Sequence, residues 1–131
     1  FHETNAVSSV LQDGFRSSHA DLKKNKYGPG AYFSKDPRLA QHFVRNKRSS
    51  QGESFQVILA RMVVGWCAHK DAIRRKQDLL KPEHREPPKG CHSCTSSDSP
   101  GREIIVFPGS PSVPAYPAYV ITYTTQMHAD P

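Results

Sequence analysis

The apolar run at residues 54–64 constrains the fold more than any other part of the chain. It contains Phe55, Val57, Ile58, Leu59, Met62, Val63 and Val64. A stretch this continuous and this rich in β-branched residues predicts a strand buried on both faces. Such a strand needs other apolar segments to cover it. Hydrophobic residues make up only 36% of the 131 residues, yet they cluster, with further runs at 103–107 and 119–125. The length suits one domain over residues 1–131, and the clusters suffice for one core.

The rest of the chain punctuates around these runs. Residues 1–4 read as the end of a strand. Thr4 or Asn5 is expected to cap a short helix through Ala6, Val7, Val10 and Leu11, with Gly14 at its C′ position. Residues 15–30 read as a polar loop ending in the turn Gly28-Pro29-Gly30. Residues 31–33 form a short strand. Asp36-Pro37 is an N-cap and N1 pair, opening a helix with Leu39 and Phe43 on one face. Residues 65–101 carry charged and proline-rich stretches without a sustained apolar period, so a functional or disordered connection is expected. Residues 103–107 are a strand headed by a carboxylate. Residues 108–117 are a proline-rich turn region, and 118–125 a final strand. Helices come early and strands late. That order predicts an α+β fold with antiparallel pairing rather than a doubly wound sheet.

Eighteen basic and twelve acidic residues give a net charge of +6. This favours solubility and attraction to polyanions such as a pyrophosphate, nucleic acid or an acidic protein. The basic residues are dispersed (Lys23, Lys24, Lys26; Arg45, Lys47, Arg48; Arg74, Arg75, Lys76), without the density of a nucleic-acid arm. Three cysteines without framework spacing argue against a disulfide-stapled secreted domain. No apolar run approaches the roughly 20 residues of a membrane helix. A reducing, intracellular setting, nucleus or cytoplasm, and no membrane partner are therefore expected. The chain starts at Phe1 without a methionine and is expected to be a piece of a longer protein.

Cys91-His92-Ser93-Cys94 is a C-x-x-C, and Cys67 and His69 lie upstream. Together Cys67, His69, Cys91 and Cys94 could furnish four zinc ligands. A structural zinc site more often shows two clean pairs, so the expectation is no metal and a short loop with free thiols.

Four ordered segments carry a stronger signal. They are Phe1-His2-Glu3-Thr4; Tyr27-Gly28-Pro29-Gly30-Ala31-Tyr32-Phe33-Ser34; Ile58-Leu59-Ala60-Arg61-Met62-Val63-Val64-Gly65; and Tyr116-Pro117-Ala118-Tyr119-Val120-Ile121-Thr122-Tyr123. In order and spacing they resemble the catalytic domain of poly(ADP-ribose) polymerases, the diphtheria-toxin-like class of ADP-ribosyltransferases. The final Tyr-Pro-x-Tyr-Val-Ile run is similar to the mono-ADP-ribosylating branch. The resemblance implies an ADP-ribosyltransferase fold: two small packed antiparallel sheets with short flanking helices around an NAD cleft. It also implies roles. His2 would bind the adenosine ribose of NAD, Tyr32 would pack on the nicotinamide, and Glu103 would hydrogen-bond the nicotinamide ribose. Glu3, Thr4, Gly30, Phe33, Ala40 and Phe43 would complete the NAD-binding wall.

These residue types suit the chemistry. Breaking the nicotinamide–ribose bond passes through an oxocarbenium-like transition state, as in glycoside hydrolysis. A carboxylate beside that ribose stabilises the developing positive charge. Nicotinamide leaves neutral, so no general acid is needed. An aromatic face suits the flat cationic ring, and a histidine suits a ribose hydroxyl.

Three positions depart from the family pattern. Glu3 stands where the family has the glycine of His-Gly-Thr, Ala40 where many members carry a serine, and Phe43 where they carry a stacking tyrosine. Losing one neutral hydrogen bond at Ala40 costs about 0.5–1.5 kcal/mol. Many mono-ADP-ribosylating members carry an aliphatic residue in the third catalytic place, so a glutamate there would by the same logic permit chain growth. The resemblance thus implies an NAD-dependent transferase acting on a protein or nucleic-acid acceptor, with mono transfer favoured over poly. The alternative is a catalytically degenerate version that binds NAD, ADP-ribose, RNA or a protein partner.

Overall fold

The computed structural model describes residues 1–4, 6–15, 25–42, 54–107 and 115–124, with the backbone alone for Glu3, residues 40–42 and Leu80. Within these residues the fold is α+β, with strands dominant. β1 (His2–Glu3), β3 (Ser54–Met62) and β7 (Ala115–Thr124) form a three-stranded sheet with β3 in the middle. β2 (Ala31–Ser34), β6 (Glu103–Val106), β5 (Ser93–Ser96) and β4 (Cys67–Lys70) form a four-stranded sheet in that order. Two short helices, α1 (Val7–Asp13) and α2 (Pro37–His42), accompany them.

The expected antiparallel pairing holds everywhere except between β4 and β5, which run parallel. Parallel neighbours need a long crossover. Residues 71–92 supply it and carry two 3₁₀ helices, Lys76–Leu80 and Pro82–His84. The stretch expected to be a functional or disordered connection therefore builds half of the second sheet.

β3 also differs from expectation. Val57 and Ile58 are buried, but Phe55, Leu59 and Met62 are only half-buried. Coverage is tightest where β1 crosses, at the pairs His2–Ile58 and Glu3–Val57. β7 starts earlier than its β-branched residues suggest and takes in Pro117. A proline has no ladder N–H, so it is tolerated at an edge or a bulge. Pro117 has both: β7 is an edge strand, and the register skips from Leu59–Tyr119 to Ala60–Pro117, leaving Ala118 as the extra residue.

Two apolar clusters lie on opposite faces of the four-stranded sheet. Val7, Val10, Phe15, Ala31, Phe33, Ile58, Val106 and Ala115 form the larger. Tyr27, Cys94, Ile105 and Phe107 form the smaller, with Tyr32 and Ala68 packed against it. The period of two along β6 sends Val106 to one cluster and Ile105 to the other.

The helix ends follow local chemistry. Asp36 Oδ1 accepts from the Arg38 amide at 2.9 Å, so the Asp-Pro start of α2 works as expected. Gly14 ends α1 with φ 78°, a left-handed value that favours glycine. Thr4 Oγ1 accepts from the Ala6 amide at 3.0 Å, one step ahead of the helix, and the N-cap residue Ala6 offers no side-chain cap. Asn5, the other expected cap, lies outside the described residues, as do 16–24, 43–53 and 108–114.

Candidate functional site

β2 is the strand on which the expected site residues converge. Its approach is set by the Gly28-Pro29-Gly30 turn. A Cβ on Gly30 would stand 2.6 Å from Ile105 Cγ2 and 2.7 Å from the Val106 carbonyl oxygen, so only glycine lets the turn press against β6. Gly28 has φ 116°, and a Cβ there would strike the His84 carbonyl. Both glycines thus have a structural reason independent of any ligand.

Tyr32 is locked to the same turn. Its hydroxyl accepts from the Tyr27 amide at 2.9 Å and donates to the Gly28 carbonyl at 2.8 Å. These bonds use the hydroxyl and leave the ring as the part that can meet a ligand. Burial pushes the phenol well above its ordinary value of 10; the Tyr27 amide pulls it down, and the nearby Glu103 carboxylate pushes it further up. Tyr32 therefore stays neutral across the physiological range.

Glu103 heads β6. The register pairs Ser34 with Glu103 and Tyr32 with Ile105. Cross-strand partners share a face, and alternate residues along a strand share it too. Tyr32 and Glu103 are thus diagonal neighbours on one face, and diagonal positions lie about 7–8 Å apart. The Glu103 backbone is held from behind, because its carbonyl accepts from Thr95 Oγ1 at 2.7 Å. Burial raises its carboxyl above the usual carboxylate value, against the pull of Lys26 and Arg102. In the sequence Lys26 reads only as dispersed charge. Its place beside Glu103 depends on how residues 25–30 turn back along β6, which composition does not encode.

His2 sits at the seam where β1 meets β2. Its Nδ1 lies 2.8 Å from the Tyr32 carbonyl. A carbonyl only accepts, so Nδ1 carries the proton and Nε2 carries the lone pair. The ring packs on Phe15 and Phe33, with centroids 5.1 and 5.2 Å away. Burial outweighs the Tyr32 hydrogen bond and holds the imidazole below its ordinary value of 6.5. It is therefore a neutral, oriented ring whose Nε2 has no protein partner among the described residues. Phe33, expected on the NAD wall, is 3% exposed and belongs to the larger core cluster, where it sets the His2 ring.

His2 therefore touches the backbone of Tyr32, while its ring lies with Phe33 rather than on the face shared by Tyr32 and Glu103. One further residue joins its row. The pairs His2–Ile58 and Ile58–Val120 put Val120 in line with His2 across the three-stranded sheet. Reading the strands one at a time gives no sign of this alignment, because it depends on register.

The remaining expected residues are placed as follows. Thr4 spends its hydroxyl on the Ala6 amide. The Glu3 backbone pairs with Val57, and the Glu3 and Ala40 side chains and all of Phe43 lie outside the described residues. The four candidate zinc ligands are not gathered. Cys67 and His69 share one face of β4, while the parallel pair Ala68–Cys94 puts Cys94 on the other. All three cysteines are free, and no group of three or more His, Cys, Asp or Glu among the described residues is arranged to hold a metal. Cys94 packs into the smaller cluster, where burial pushes its thiol up. Among the described residues no helix is long and apolar enough to cross a membrane.

No family model and no curated protein matches the chain.

Proposed function

We propose that the chain has the ADP-ribosyltransferase fold and transfers ADP-ribose from NAD to a protein or nucleic-acid acceptor with release of nicotinamide. The observation that carries this reading is that residues distant in sequence flank β2, His2 at the Tyr32 backbone with its ring on the Phe33 side and Glu103 on the Tyr32 side. His2 is hydrogen-bonded to the Tyr32 backbone, and Glu103 is diagonal to Tyr32 on its face. These are the three residues that the motif resemblance names.

Each has a physical state that suits the part. Nε2 of a neutral His2 accepts from a ribose hydroxyl. The Tyr32 ring, fixed through its hydroxyl, offers a flat face to the nicotinamide. Glu103, when ionised, stabilises the positive charge that builds on the ribose as the glycosidic bond lengthens. Single-unit transfer is favoured over chain growth on the likeness of the run Tyr116-Pro117-Ala118-Tyr119-Val120-Ile121 to the mono-ADP-ribosylating branch.

Incubation with NAD labelled in its adenylate part tests this directly. Label on the protein or an added acceptor, with nicotinamide released, is the expected result. Glu103→Gln should lower turnover by about 100-fold while leaving NAD affinity nearly unchanged, since charge at Glu103 matters chiefly in the transition state. Because the Glu103 carboxyl is raised, activity should fall as pH drops through a value above the usual carboxylate range. Unchanged turnover in the Gln variant would remove Glu103 from the mechanism.

A second reading is a binding module without catalysis. The Tyr32 hydroxyl is already used by the 27–28 turn, and Glu3 and Ala40 depart from the family pattern. Saturable NAD binding with no nicotinamide release would select it.

A further inference from the structure

The outer face of the three-stranded sheet carries a row of aromatic side chains that the proposed transferase does not use. The register pairs Phe55 with Tyr123, Leu59 with Tyr119 and Arg61 with Tyr116. Odd-numbered residues of β3 share a face, so their partners do as well. Tyr116 and Tyr119 are three apart in sequence and would point to opposite faces of a regular strand. The bulge at Ala118 removes that conflict and turns both outward. Tyr116 and Tyr119 are 68% and 61% exposed. Tyr123 stacks on Phe55 further along, with centroids 5.6 Å apart and planes at 24°.

Arg61 puts a cation at the Tyr116 end of this face, while Glu3, paired with Val57, lies further along it. Arg61 is exposed and directly opposite Tyr116. β3 and β7 contain no acidic residue, and the whole chain carries +6. Exposed rings in a row beside a cation are the arrangement that stacks unpaired bases and holds their phosphates, because every base has a π-face and every nucleotide a negative charge.

We propose that the Tyr116–Tyr119–Arg61 face of β3 and β7 is a stacking platform for single-stranded nucleic acid. The platform stands apart from His2, Tyr32 and Glu103: it lies on the face of β3 opposite Ile58, away from the larger core cluster. Its selectivity is for unpaired strands, since a duplex hides its base faces.

Fluorescence anisotropy with a labelled single-stranded oligouridylate of about 12 nucleotides tests it. Binding should weaken steeply between about 50 and about 200 mM salt. Tyr116→Ala and Tyr119→Ala should each weaken it about fivefold to 100-fold. Arg61→Gln should lower the slope of log affinity against log salt by about 1. Thr122→Ala, on the same strand but the other face, should leave affinity unchanged. Melting curves on the same samples show that each variant is folded. Absence of binding at the lower salt would overturn the proposal, as would equal affinity for a duplex of the same length or equal loss from Thr122→Ala. So would sedimentation showing that the tyrosines instead join two copies of the chain.

Discussion

β5 reads Ser93-Cys94-Thr95-Ser96 and is buried at every position, whereas β7 reads Ala-Tyr-Pro-Ala-Tyr-Val-Ile-Thr-Tyr-Thr and is mostly exposed. Hydropathy alone ranks them the other way round. The difference lies in hydrogen-bond partners and in position within the sheet. β5 is flanked by β6 and β4, and its hydroxyls are met by loops. Ser93 donates to the Val64 carbonyl at 2.9 Å. Thr95 donates to the Glu103 carbonyl and accepts from the Gly101 amide at 2.8 Å. Ser96 accepts from the Tyr27 hydroxyl at 3.0 Å. A buried hydroxyl that keeps its bonds costs little. β7 lies at an edge, and of its side chains only Ala115 is buried.

Four substitutions press on this contrast. Ile105 is 0% exposed within the smaller cluster, while Ile121 is 40% exposed on the outer face of β7. Ile105→Ala should cost about 2–5 kcal/mol in urea denaturation, with a cavity left behind, whereas Ile121→Ala should stay within about 0.5 kcal/mol. Comparable losses at both sites would mean that β7 is as well covered as β5. Thr95→Val keeps shape but leaves the Gly101 amide and the Glu103 carbonyl without their partner, and should cost about 1–3 kcal/mol. A neutral effect there would show that the hydroxyl network does not hold β5 in place.

A fourth effect should come from the one buried side-chain polar atom among the described residues that lacks a hydrogen-bond partner. Lys70 Nζ is buried without a hydrogen-bond partner, 5.3 Å above the Phe107 ring. Lys70→Met keeps the aliphatic stem and removes the unpaired charge, and should stabilise the protein by about 1 kcal/mol at neutral pH. Burial holds this ammonium below its ordinary value of 10.5. Its folded pKa is depressed, so the stability linked to it is present above 10.5 and is lost as pH falls through the folded value. The wild-type protein should therefore gain stability over that alkaline window, and the Met variant should lack this gain. A destabilised Met variant would mean that the contact with Phe107 outweighs the desolvation of the charge.

Legibility in the sequence followed the range of the interaction. The start of α2 was readable at Asp36-Pro37, because capping and a fixed proline φ act within one turn. The strands at 54–62 and 103–106 were readable from apolar continuity. β4 and β5 were not, because they are held by pairing with partners far along the chain. In the candidate site, His2, Tyr32 and Glu103 came from motif order, and the turn glycines from their spacing. The neutral tautomer of His2, the locked hydroxyl of Tyr32 and the raised carboxyl of Glu103 came from contacts at separations the sequence does not display.

By itself, then, the sequence determined the class of fold, the position of its strongest strands and the residue types available to the proposed site, since these depend on local propensity and composition. Tertiary structure alone decided the register that sets Glu103 diagonal to Tyr32, the parallel β4–β5 pair, and the bulge that turns Tyr116 and Tyr119 to one face. A one-residue slip in pairing reverses every side chain of a strand, and only the packed sheet fixes that choice.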